Sequence, residues 1–68
     1  MDEGKEVLIT ALKKHHSDAL TKAKEFRELA KRQTTKEEAD LYLQQANEEE
    51  MKARGYLIHA QILADAES

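Results

Sequence analysis

Sixty-eight residues allow one domain at most, and a chain this short buries only a little over half of the surface it exposes when unfolded. The absence of Cys excludes disulfides and thiolate zinc sites, which leaves oligomerisation as the usual support for a thin core. A net charge of −3, a charged fraction of 37%, no Pro and only two Gly fit long helices rather than sheets.

The start, Met1-Asp2-Glu3-Gly4-Lys5-Glu6, is acidic where a signal peptide needs positive charge, and no apolar run reaches transmembrane length. A cytoplasmic protein is the expectation, with the opening Met pointing to a small complete reading frame.

Over about residues 5–33 the positions Ile9, Leu12, His16, Ala19, Ala23, Phe26 and Ala30 recur in alternating steps of three and four. That spacing is a heptad seam and predicts one helix. Leu8, Leu20 and Leu29 widen the seam into a globular-type face.

Thr34 and Thr35 interrupt the pattern. Thr35 followed by Glu38 fits a capping box, and Glu37, Glu38 and Asp40 put negative charge at the start of a second helix, where the dipole favours it. Lys31 and Arg32 carry the opposite sign at the end of the first. No Gly follows that helix, so the turn, at about residues 34–35, has to form without a left-handed glycine. A single bent helix is the competing arrangement.

The second helix, at about residues 36–66, repeats Ala39, Ala46, Ala53 and Ala60 at seven-residue steps. Small residues along this line let two helices approach closely, while Tyr42, Glu49, Tyr56 and Leu63 on one side and Leu43, Glu50, Leu57 and Ala64 on the other close the flanks. Folding about Thr34–Thr35 sets Ala46 by Ala23, Ala53 by His16, Leu57 by Leu12 and Leu43 by Phe26. Small then faces small and large faces large, which favours a hairpin. The fold class expected is therefore all-α, an antiparallel two-helix hairpin of coiled-coil type dimerising into a four-helix bundle.

Charge is divided between the helices. Residues 1–33 hold eight Lys and Arg against six Asp and Glu, and residues 34–68 hold three against eight. Pairs at i,i+4, Asp18–Lys22, Glu28–Arg32, Glu48–Lys52 and Glu50–Arg54, are expected to support each helix by a few tenths of a kcal/mol.

The turn end of the hairpin is polar, but the other end is not. Val7, Leu8 and Ile9 are consecutive, as are Tyr56, Leu57 and Ile58, with Ile62 and Leu63 following. Consecutive helical residues point about 100° apart, so one partner helix cannot cover them all. Val7, Leu8, Ile9, Tyr56, Ile58, Ile62 and Leu63 are the expected protein interface, for a second copy and for another protein.

Other chemistry finds less support. His15, His16 and His59 are the only imidazoles, and no Glu-x-x-His occurs, so neither metal nor cofactor is expected. His16 could meet Glu49 or Glu50 across the hairpin, and a buried pair of that kind would make association pH-sensitive. Gly55 inside the second helix suggests a close crossing with another helix. Lys13, Lys24, Arg27 and Lys31 form the alternative, a nucleic-acid face on the first helix, although Asp18, Glu25 and Glu28 interrupt it and stacking aromatics are absent. No phosphate loop, activated nucleophile or cleft for a small-molecule substrate can be found, so the chain is read as non-enzymatic.

Overall fold

A computed structural model describes residues 2–66; Met1 of the acidic start therefore lies outside the described residues. Two helices account for nearly all of them. The first, α1, spans Asp2–Lys31 and the second, α2, spans Lys36–Asp65, each of 30 residues. They fold back on one another into a rod whose Cα atoms extend 52 × 14 × 10 Å. Thirty helical residues are about 45 Å long, so the two helices lie side by side over their full length. The single bent helix is excluded.

The helix boundaries differ from those read in the sequence for local reasons. At its start α1 extends three residues beyond Lys5, because Gly4 adopts no positive φ and the acidic Glu3 and Glu6 suit the positive end of the helix dipole. At its other end α1 stops at Lys31. The amides of Arg32 and Gln33 donate to the carbonyls of Leu29 and Ala30 at 3.1 and 3.2 Å, tightening the last turn. Gln33 then folds its side chain back, and Nε2 donates to the Leu29 carbonyl at 3.0 Å. A side-chain amide thus does the capping that a left-handed glycine does elsewhere. The connection is residues 32–35, and no described residue has a positive φ.

Thr35 starts α2. It is extended, with φ −115° and ψ 148°, and its hydroxyl accepts from the Glu38 amide at 3.3 Å. This is the first half of the expected capping box.

The core is the alanine seam. Among the described residues, those buried are Leu12, Ala19, Ala23 and Ala30 from α1 and Ala46, Ala53 and Ala60 from α2. Ala46 is fully enclosed at 0% exposure, as the close approach of two backbones along small side chains requires. Larger residues sit at the edges of this line: Ile9, His16, Phe26, Tyr42, Tyr56, Leu57 and Leu63 are all only half-buried. Among the described residues no large side chain is completely buried.

The register matches a fold about Thr34–Thr35 at the centre, where His16 Nδ1 reaches the Ala53 carbonyl at 2.7 Å. Near the turn it differs in detail. Phe26 packs on the Tyr42 ring, with centroids 6.3 Å apart and planes at 29°, while Leu43 is left 42% exposed. Two rings bury more area against one another than a ring against a leucine on the outer flank.

Candidate functional site

Three groups of side chains could carry function, and they occupy different parts of the rod. The first is the apolar set at the end away from the turn. Ile9, Tyr56 and Leu63 are partly covered by the hairpin itself, and Tyr56 lies against the His15 ring, centroids 5.3 Å apart. Val7, Leu8, Ile58 and Ile62 remain exposed, at 69, 45, 48 and 61%.

These four do not make one patch. Counted from the seam, Val7 falls on the side of α1 that faces away from α2. Ile58 and Ile62 fall on the opposite, outward side of α2, and Leu8 lies on a flank between. The outward side of α2 continues through Gly55 to Met51, which is 72% exposed. Met51 was not among the interface residues expected from the sequence, although its seven-residue step to Ile58 places it on the same face.

Gly55 lies in the middle of that face. A Cβ built on it meets nothing within 4 Å, and its φ is not positive. Neither backbone conformation nor packing within the chain calls for glycine here, although glycine weakens a helix interior by about 1 kcal/mol relative to Ala. The expected close crossing is not made by α1.

The second group is the polar layer at mid-rod. His16 meets a backbone carbonyl rather than Glu49 or Glu50, which removes the basis for the His–carboxylate pair. The side chains near it explain why. Glu50 is drawn across the hairpin to the Arg27 guanidinium, and its Oε1 is closed off from solvent there. Glu49, with a side chain only 15% exposed, pairs with Lys52 at 3.4 Å. Glu28 likewise takes Lys31, at 3.6 Å. Glu28 and Glu49 choose i,i+3 cations and Glu50 a cross-helix one, and among the described residues the expected i,i+4 pairs are not formed.

The third group is the basic side of α1. Arg27 and Lys31 are engaged by Glu50 and Glu28, while Lys13 and Lys24 are exposed. Among the described residues no three His, Asp or Glu side chains come together as a metal would need, and no helix is long and apolar enough to cross a membrane.

No protein-family model matches the chain, and no curated protein or solved structure matches it either. The inventory of surfaces therefore carries the functional reading. It comprises an outward aliphatic stripe on α2, exposed Val7, Leu8 and Leu20 on α1, exposed Leu41 and Leu43 nearer the turn, and a central layer in which Glu49 and Glu50 are paired.

Proposed function

We propose that this chain is a small non-enzymatic protein-interaction module whose working form is a self-associated hairpin, a dimer of four helices, that presents its remaining surface to another protein as a regulator, adaptor, inhibitor or assembly subunit. The observation that carries the proposal is the mismatch between core and surface. Among the described residues, the buried ones are six alanines and one leucine, whereas Val7, Met51, Ile58 and Ile62 stand in solvent.

The area points the same way. The chain exposes 5426 Å², against about 4,400 Å² for a compact protein of its mass, an excess of roughly 1,000 Å². A standard interface removes about 800 Å² from each partner. Burial on that scale would bring the chain close to the surface of an ordinary folded protein. Exposed aliphatic area has a favourable transfer free energy of about 25 cal/mol per Å² when covered, which a second hairpin can supply. The working compartment in this proposal is the cytoplasm, supported by the cysteine-free, highly charged composition.

The test is the solution mass of the wild type and of the double variant Ile58→Glu with Ile62→Lys. The wild type is expected to associate, and the variant to remain helical at lower mass. Equal masses for the two would remove the α2 face from the interface.

A further inference from the structure

Resting on that self-association, we propose that the partner seated on the outward face of α2 is a second copy of this chain, lying antiparallel. The two α2 helices cross at Gly55, and Ile58 of each copy fills the space above Gly55 of the other.

The continuous apolar stretch of the face is Met51, Gly55, Ile58 and Ile62, at steps of four, three and four along one side of the helix, with Glu48 and Asp65 at its ends and exposed Leu41 standing apart beyond Glu48. This order of steps is the same read in either direction. An antiparallel copy therefore meets it in register, with Met51 opposite Ile62 of the partner subunit and Gly55 opposite Ile58 of the partner subunit. Such a contact is isologous, each copy offering the same surface, as a two-fold dimer requires.

Gly55 is the second, independent observation. The lone hairpin leaves it surrounded by open space and gains nothing from a residue that disfavours helix. A missing Cβ lets another backbone come close and leaves a hole for a branched side chain. With Gly55 at the crossing, Met51, Ile58 and Ile62 lose their exposure together.

The other candidate within a homodimer is the outward side of α1, and its chemistry is wrong. There Lys14, Asp18, Glu25 and Glu28 are all exposed, and covering them with aliphatic side chains would strip water from charges without replacing it. Pairing α2 with α2 leaves those charges in solvent. At either end the same register brings Glu48 opposite Asp65 of the partner subunit, an exposed like-charge pair that added salt screens.

The native chain has no Cys, so the arrangement can be read by directed cross-linking beside a mass measurement. Met51→Cys and Ile62→Cys chains, mixed and oxidised, are expected to form the mixed disulfide. Neither should cross-link alone, because the two copies of position 51 lie about 16 Å apart along the axis, beyond the roughly 7 Å that a disulfide spans between Cα atoms. Gly55→Leu, whose Cβ meets nothing within 4 Å in one hairpin, is expected to keep its helix content and to raise the dimer dissociation constant at least tenfold. A dimer in which Met51→Cys chains cross-link with themselves, or in which Gly55→Leu associates like the wild type, overturns the antiparallel crossing while leaving self-association standing. A monomeric wild type overturns both.

Discussion

His16 donates a hydrogen bond from Nδ1 to the carbonyl oxygen of Ala53, 2.7 Å away across the helix pair. A carbonyl can only accept, so the geometry fixes the proton on Nδ1. The same oxygen, in the middle of α2, has a second lone pair for its intrahelical amide. One side chain on α1 thereby ties itself to the backbone of α2, and does so beside an alanine that is 1% exposed. Alanine makes the bond possible, since a larger residue at 53 would hold the two helices apart.

Replacing His16 by Ala should cost about 1 kcal/mol of hairpin stability, the usual net worth of one hydrogen bond. His16→Asn keeps a donor on a short side chain and should recover part of that loss. Urea denaturation of the three chains, at one protein concentration, checks the order wild type, Asn, Ala. Equal midpoints would mean that the bond contributes nothing.

Arg27 and Glu50 are coupled across the hairpin, with side chains 43 and 40% exposed. At that exposure solvent screening limits the pair to about 0.5–1 kcal/mol. Arg27→Ala and Glu50→Ala should each destabilise, and the double variant should lose less than the two single losses combined. A double-mutant cycle measures that difference; strict additivity would show that the two do not interact in solution.

Ala46 is fully enclosed between the helices. Ala46→Leu should force them apart and cost about 1–3 kcal/mol by overpacking. A thermal melt is the readout, and an unchanged or raised midpoint would contradict the close alanine-lined approach.

Gly4 and Gly55 both lie within helices, and a Cβ on either meets nothing within 4 Å. Gly4→Ala should raise helix stability, by up to about 1 kcal/mol, and leave association unchanged. Gly55→Ala should stabilise the isolated hairpin by a similar amount but weaken the dimer. Circular dichroism at low concentration and sedimentation at high concentration separate the two effects; identical behaviour of the two variants would count against the crossing at Gly55.

The sequence made the helical layout legible because alanine recurs every seven residues in α2. That period and the seam of α1 specify which faces meet, and the two threonines between them specify where the chain reverses. The register followed from matching sizes, and His16 opposite Ala53 agrees with it. The rest depended on where flexible ends of side chains point. Gln33 caps α1 because its amide can fold back to Leu29, which no sequence period reveals. Glu49 and Glu50 are neighbours with the same chemistry, yet one pairs along its own helix and the other across the hairpin. His16 chose a backbone oxygen, which composition cannot register. The apolar end looked like one patch in the sequence because its residues are consecutive, whereas helical rotation sends Val7 and Ile58 to opposite sides of the rod. Met51 is a solitary aliphatic in a charged stretch, which hides it from a search for apolar runs. Its position relative to Gly55 and Ile58 was the available signal.

Self-association can be read from sedimentation equilibrium of the unmodified chain over a wide concentration range. The mass is expected to rise from the 7.8 kDa of one chain to about twice that. A mass that stays at 7.8 kDa up to about 1 mM, the dissociation constant of even a weak association, would mean that the hairpin works alone.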